Sequence, residues 1–127
     1  MDNVDINVFQ INSAVDVYSA IGRTIELSQQ WENSFRKFCI KEKCEIKDLE
    51  TSTLRRMNKA LLNKGSILQA EYDRLEKVIN MRNYINHAFF LEYKALSYKQ
   101  IENKLNEIFS LISGMYDVTC NILKARK

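Results

Sequence analysis

The sequence predicts an all-α fold, an antiparallel bundle of four or five helices. The chain of 127 residues contains no proline and only three glycines, so little in it interrupts a long helix. Apolar residues recur at spacings of three and four over most of the chain, which is the period of helices that bury one face. The length suits one domain with a sizeable core, and we expect residues 1–127 to form a single helical domain.

The first predicted helix runs from about Asn7 to Ile40, with a bend expected near Gly22 or Ser28. Three aromatic residues continue its apolar pattern toward the end of the helix. The stripe consists of Ile11, Ala14, Val15, Tyr18, Ile21, Ile25, Trp31, Phe35 and Phe38. The following stretch, Lys41 to Glu50, is charged and aperiodic, and we expect a loop there.

A short second helix is expected to follow this loop. Thr51 or Ser52 can cap its beginning, and its apolar pattern ends at Asn63 or Lys64. Gly65 then fits the left-handed position that often ends a helix.

Two further helices complete the predicted bundle. The third runs from about Leu68 to Glu92, and the fourth opens at Ser97, with Gln100 three residues later in a capping-box pattern. An apolar seam follows the fourth helix and either packs in the bundle or pairs with another chain. The seam consists of Ile101, Leu105, Ile108, Ile112, Met115 and Ile122, with Thr119 in the remaining gap.

The third helix separates into two arcs when it is placed on a helical wheel. The apolar arc contains Leu75, Val78, Ile79, Ile85 and Phe89, and the polar arc contains Glu76, Asn80, Asn83 and His87. Arg82 falls inside the apolar arc and diverges from His87 by roughly 140°. A buried, unpaired arginine is costly, and a phosphate or a partner carboxylate would remove that cost; alternatively, Arg82 extends along the edge of the arc to solvent. Either the helix is distorted here or two copies of the helix share a site across a two-fold dimer.

Composition narrows the function classes. The net charge of +3 permits an anionic partner without requiring one. Three cysteines, Cys39, Cys44 and Cys120, form no paired motif, which favours a reducing, cytoplasmic compartment and makes a zinc site improbable. The amino-terminal residues lack the pattern of a signal peptide, and no apolar run is long enough to span a bilayer, so we expect no membrane partner.

The chemistry of the sequence centres on the hexapeptide Arg82-Asn83-Tyr84-Ile85-Asn86-His87. His87 is the only histidine and can transfer a proton near neutral pH. Arg82 can bind phosphate oxygens in a fork, and Asn83 lies one turn before His87 and can orient its ring. Between Thr51 and Ala70 the chain is basic and has no acid, which makes it a candidate phosphate-binding flank. The candidates there are Arg55, Arg56 and Lys59.

The hexapeptide resembles the signature of the HEPN family, the higher eukaryote and prokaryote nucleotide-binding helical domains. That signature is an arginine, often followed by a small polar residue, and then a histidine after four to six residues. The resemblance implies a helical homodimer that cleaves RNA as a metal-independent endoribonuclease, in a toxin–antitoxin or antiviral-defence system. It implies that His87 helps activate a ribose 2′-hydroxyl and that Arg82 stabilises the scissile phosphate. Asn83 then binds RNA or orients His87, and no metal or cofactor is needed.

One position departs from a subgroup of such toxins. Those toxins carry a tyrosine two residues after the histidine, which an antitoxin protein modifies with AMP, and Phe89 stands at that position here. A cognate antitoxin remains a candidate partner, but silencing by that chemistry at that residue is not expected.

Two other function classes compete with the nuclease. In the first, the chain is a non-catalytic helical module for dimerisation or protein interaction, and the seam of the fourth helix is its function. In the second, it is an all-α nucleotide pyrophosphohydrolase, in which paired acids hold magnesium. The acidic pairs available for that role are Glu42 with Glu45 and Asp73 with Glu76.

Overall fold

The computed structural model describes residues 8–87 and 89–125, without the side chains of residues 87, 90, 91 and 123–125. The described residues form helices and connecting segments and contain no strand, which confirms the predicted all-α bundle. The helices are α1 Ala14–Lys41, α2 Leu54–Lys64, α3 Gln69–His87, α4 Phe89–Glu92 and α5 Tyr98–Ala125. Short 3-10 turns at Leu49–Thr51 and Tyr93–Ala95 lie in the connections.

The core lies mainly between the two longest helices, α1 and α5. Trp31 of α1 is fully buried, and its indole Nε1 donates a hydrogen bond of 3.2 Å to Thr119 Oγ1 of α5. The apolar seam of α5 faces this core: its first four members are buried, and Met115 and Ile122 pack against the core with part of their surface exposed. The seam therefore packs within the bundle, which is one of the two predicted alternatives.

Helix α1 begins at Ala14, seven residues after the predicted start, and Asn7 lies outside the described residues. The Ser13 hydroxyl caps the helix by accepting a hydrogen bond of 3.3 Å from the Asp16 N–H, while an Asp16 carboxylate oxygen accepts from the Asn12 N–H at 2.8 Å. The predicted start was wrong because apolar spacing alone ignored this cap.

The segment before α1 packs on α5 as extended chain. The side-chain amide of Asn106 accepts a hydrogen bond from the Phe9 N–H at 2.8 Å and donates one to the Phe9 carbonyl oxygen at 3.0 Å. Glu102 Oε1 accepts from the Ile11 N–H at 2.9 Å. These side chains satisfy backbone groups that a helix would have paired internally, so Phe9 and Ile11 reach the core without helical structure.

Helix α2 is capped by Thr53 and not by Thr51 or Ser52, because the Arg56 N–H donates to the Thr53 hydroxyl at 3.2 Å. The two predicted caps belong to the preceding turn, where Ser52 is buried. Gly65 has a φ of +81° at the end of α2, as predicted.

The ends of α3 and α5 follow their predicted signals in part. Helix α3 starts one residue after the prediction and is described up to His87; α4 continues to Glu92, and Ala88 between them lies outside the described residues. The predicted capping box of α5 is confirmed, since the Ser97 N–H donates to Gln100 Oε1 at 2.8 Å and the Gln100 N–H donates to Ser97 Oγ at 3.1 Å. Among the described residues, no helix combines the length and apolarity needed to cross a membrane.

Candidate active site

The apolar arc of α3 fixes how the helix presents the hexapeptide. Val78, Ile79, Ile85 and Phe89 are buried, as the helical wheel predicts, and Leu75 packs against the core with part of its surface exposed. With these side chains in the core, the polar arc lies on the outer side of the helix.

The first half of the polar arc connects α3 to α2. Glu76 accepts a hydrogen bond of 2.9 Å from the amide of Asn58, which is fully buried. Arg55 forms an ion pair with Glu76 at 3.5 Å and donates a hydrogen bond to Asn80 Oδ1. Glu76 and Asn80 are therefore occupied by helix packing, and the hexapeptide contains the rest of the polar arc.

Arg82 lies between α3 and α1, with 14% of its side chain exposed. Its Nη2 is 3.4 Å from a carboxylate oxygen of Glu32 on α1, and its Nη1 donates to Asn83 Oδ1 at 3.2 Å. A tight charge-assisted hydrogen bond is about 2.7–2.9 Å long, so the contact with Glu32 is loose. Of the alternatives that the sequence leaves open for Arg82, the structure shows a carboxylate, and it comes from the same chain.

The donors of Arg82 are incompletely used. Its Nε is buried and has no hydrogen-bond partner among the residues whose side chains are described. Since guanidinium has five N–H donors, one loose ion pair and one hydrogen bond leave it short of partners. A buried polar atom without a partner is uncommon in a folded protein, and besides those at the end of α3 the described residues contain one more, Asn58 Oδ1 between α2 and α3.

Asn86 shows the same feature one position before His87. Its Oδ1 is buried and accepts no hydrogen bond from any described side chain or backbone group. His87 is the last residue of α3, and its side chain lies outside the described part of the structure. The end of α3 therefore brings Arg82, Asn83 and Asn86 onto the last two turns that lead to His87.

Tyr84 fixes the end of α3 to the residues that follow it. Its hydroxyl donates to Glu92 at 2.8 Å, and its ring meets the ring of Phe89 edge-on at 5.9 Å. The Lys104 ammonium lies 5.0 Å from the centre of the Tyr84 ring. Burial and the Glu92 carboxylate raise the pKa of Tyr84 to about 12, so Tyr84 stays a neutral hydrogen-bond donor. Phe89 is itself fully buried.

The three basic residues predicted to bind an RNA backbone point in different directions. Arg55 turns toward α3, whereas Arg56 and Lys59 line a groove of about 460 Å³ between α2 and the segment that follows α1. Lys47 and Lys64 line the same groove. We call it the basic groove.

Sequence reasoning missed two of these residues as site residues. Glu32 lies fifty positions before Arg82 and has no motif around it, so only the packing of α1 on α3 shows the pair. Lys47 lies in a segment that was set aside as a charged loop. Its place beside a basic helix was the signal available, but the direction of a loop cannot be inferred from its composition.

One of the two acidic pairs considered for a magnesium enzyme, Asp73 with Glu76, has other contacts. Asp73 accepts a hydrogen bond of 3.0 Å from Gln69, and Glu76 contacts Arg55 and Asn58. In the described part of the chain, no three His, Cys, Asp or Glu side chains group closely enough to hold a metal ion. Burial raises the pKa of the Cys39 thiol to about 12, which keeps it protonated and unreactive.

The fold and the site define a small all-α bundle with a half-buried arginine near its only histidine. Comparison of the chain with known protein families, with curated proteins and with solved structures finds no significant match. Any assignment of function therefore depends on the geometry and chemistry of the residues themselves.

Proposed function

We propose that this chain is a metal-independent endoribonuclease of the HEPN type, acting in toxin–antitoxin or antiviral-defence systems. The observation that carries the proposal is the incompletely satisfied guanidinium of Arg82, which lies half-buried at the end of the helix that carries the only histidine.

In the proposed reaction the nucleophile comes from the substrate. His87 removes the proton from a ribose 2′-hydroxyl, and the 2′-oxygen forms a bond to the adjacent phosphorus. The bond from phosphorus to the 5′-oxygen breaks, and that oxygen takes up a proton. The products are a 2′,3′-cyclic phosphate and a 5′-hydroxyl, so neither a metal-bound water nor a cofactor takes part.

Arg82 stabilises the charge that develops on the phosphate oxygens. An incoming phosphate competes with Glu32 for the guanidinium, and the length of the Glu32 contact, 3.4 Å, makes that exchange inexpensive. Asn83 already accepts a hydrogen bond from Arg82, which supports a role in holding the guanidinium as well as in contacting RNA. Glu32 then defines the resting state of the site.

We further propose that the active form is a homodimer. Arg82 reaches toward α1, and on a regular helix His87 lies roughly 140° away from it, so one copy does not readily direct both groups at one phosphate. Large apolar side chains are exposed near the starts of α1 and α5: Val15 is 74%, Tyr18 54% and Tyr98 45% exposed. Exposed apolar surface of this kind is suited to self-association.

The function is tested with purified protein, single-stranded RNA and EDTA. We expect cleavage with 2′,3′-cyclic phosphate ends, and no cleavage when the same sequence carries 2′-O-methyl groups at every ribose. Dependence on added magnesium, or 5′-phosphate products, would contradict the proposed chemistry.

A complementation assay tests the dimer. Arg82→Ala and His87→Ala chains are each expected to be inactive, and mixing them after dissociation is expected to restore roughly a quarter of the wild-type activity. Half of the mixed dimers are then heterodimers, and each has one intact shared site. A chain that is active and monomeric by sedimentation at assay concentration would contradict the shared site.

The Arg82–Glu32 ion pair also favours a second candidate, a non-catalytic helical interaction module. In that case Arg82 only connects α3 to α1, and the hexapeptide has no chemistry. The two candidates differ in the effect of His87→Ala, which leaves the activity of a binding module unchanged and removes that of a nuclease.

A further inference from the structure

The basic groove brings four cations together from two parts of the chain. Arg56, Lys59 and Lys64 lie along α2, and Lys47 faces them from the segment after α1. All four side chains are exposed. From Arg56 to Lys64 the groove follows α2 for about 12 Å, and its volume of about 460 Å³ is within the usual range of ligand sites.

The charge of the groove is uncompensated. Its lining contains four basic residues and one acid, Glu45, a balance of +3 that equals the net charge of the whole chain. Within the described residues, none of the four cations forms an ion pair with a carboxylate, Glu45 included. Lys59 lies 5.7 Å from the centre of the Tyr72 ring, which holds its ammonium in place without neutralising it.

The two neighbouring arginines of α2 differ in whether they have an acidic partner, and only the one that lines the groove lacks such a partner among the described residues. Arg55 has two acceptors on α3, Glu76 and Asn80. Arg56, the next residue, lines the groove and has no acidic partner in the described chain. Mutual repulsion among concentrated cations disfavours the empty state, and a polyanion removes that cost.

We propose that the basic groove binds the phosphate backbone of single-stranded RNA, away from the hexapeptide. The choice of RNA among polyanions rests on the proposed function; the groove itself does not depend on cleavage. Asn63 adds a neutral hydrogen-bonding side chain to the lining, which suits sugar and phosphate contacts without base specificity.

The cations are not expected to contribute equally. Lys64 lies in the last turn of α2, where the partial negative charge of the helix carbonyl ends compensates part of its charge. Arg56 lies in the first turn, where the helix dipole adds to its positive potential. The expected order of effect on RNA binding is therefore Arg56 first, then Lys47 and Lys59, and Lys64 last.

The groove is tested by fluorescence anisotropy with a labelled 2′-O-methyl RNA of about 20 nucleotides, which the proposed reaction cannot cut. We expect Arg56→Gln and Lys47→Gln each to weaken binding on the order of threefold to tenfold at low salt. The slope of log affinity against log salt, about −2.8 if each of the four cations contacts one phosphate, should become shallower by about 0.7 for each cation removed.

The matched control is Lys77→Gln, an exposed lysine on α3 that removes the same charge outside the groove. If Lys77→Gln and Arg56→Gln weaken RNA binding equally, the groove is not a binding site, because the loss of affinity would then follow from net charge alone. Failure of the RNA to bind would also overturn the proposal, as would tighter, Arg56-dependent binding of polyglutamate. If the wild-type protein binds RNA through Arg56 but cuts no RNA, the proposed function is rejected, while the basic groove remains an RNA-binding site.

Discussion

Two buried polar regions of this fold differ in how well their hydrogen-bonding groups are satisfied. At the amino-terminal end, the Asn106 amide uses both its oxygen and its nitrogen to bind the backbone of Phe9, at 2.8 and 3.0 Å. At the end of α3, Arg82 Nε and Asn86 Oδ1 are buried without a partner among the described residues. Both regions lie in the same small bundle, so the size of the protein does not account for the difference in their hydrogen bonding.

The difference separates a structural role from a functional one. A buried polar group with all its bonds made stabilises one conformation, whereas unused donors and acceptors cost stability unless a ligand uses them. Asn58 Oδ1 also lacks a partner among the described residues, but it lies in the packing of α2 on α3, away from the hexapeptide. Substitutions of Asn106 are expected to change the stability of the fold alone. Substitutions at the end of α3 are expected to change RNA cleavage more than stability.

The largest expected effect is the loss of cleavage in Arg82→Ala. Removing the group that stabilises developing charge should lower the cleavage rate about 100-fold or more. Because the pair with Glu32 is loose and partly exposed, unfolding in urea should show a loss of only about 1–2 kcal/mol.

Glu32→Gln is the matched control for Arg82→Ala, since it removes the same ion pair from the other side. We expect it to cleave RNA at the wild-type rate or faster, because a phosphate no longer competes with a carboxylate. If Glu32→Gln and Arg82→Ala abolish cleavage equally, the ion pair itself is needed for cleavage. The proposal that the phosphate displaces Glu32 is then wrong.

The next largest effect is expected on folding, in Asn106→Leu. This change leaves the N–H and carbonyl oxygen of Phe9 buried without their partner and should lower the free energy of unfolding by about 2–3 kcal/mol. Asn103→Leu, an exposed position on the same helix, should change it by less than about 0.5 kcal/mol. Similar losses in both variants would show that the Phe9 contacts contribute little.

Asn86→Leu is expected to stabilise the fold but to slow RNA cleavage. Replacing an oxygen that lacks a partner should raise the free energy of unfolding by about 0.5–1 kcal/mol, while RNA cleavage falls. Thermal unfolding measures the gain in stability, and the cleavage assay measures the loss of activity. A destabilised Asn86→Leu chain would indicate that Asn86 serves packing, and the contrast with Asn106 would disappear.

The smallest expected effect concerns pH. Hydrogen bonds from the Ile11 N–H and then from Lys99 lower the pKa of Glu102 below its ordinary value of 4.5. The ionised form is thus favoured in the folded chain, so its stabilisation is complete above pH 4.5 and is lost as the pH falls through the lower, folded pKa. The melting temperature of the wild type should fall more between pH 5 and pH 3 than that of Glu102→Gln. Parallel melting curves would contradict this anchoring role.

The fold was predictable where the sequence contains local signals. Gly65 and the pair Ser97–Gln100 fixed helix ends correctly, because a left-handed residue and a capping box act over a few neighbours. The start of α1 had an equally local signal in Ser13 and Asp16, but the apolar spacing of the preceding residues masked it. What holds Phe9 is Asn106, a contact across 97 positions that no local pattern shows.

The candidate site was predictable in the same uneven way. The wheel of α3 placed Arg82 among apolar residues, where a charged partner or an extended route to solvent would offset its burial, and the structure supplies Glu32. The identity of that partner depends on how α1 packs on α3, so the sequence alone left a phosphate and a carboxylate equally open. The basic groove likewise needed the path of the chain around Lys47.

The most direct test of the account compares wild-type protein and His87→Ala, purified identically, for cleavage of single-stranded RNA in EDTA. We expect the wild type to cut the RNA and His87→Ala to cut it at least about 100-fold more slowly, with an unchanged melting temperature. Equal rates for the two proteins, or no cleavage of any RNA by the wild type, would contradict this expectation.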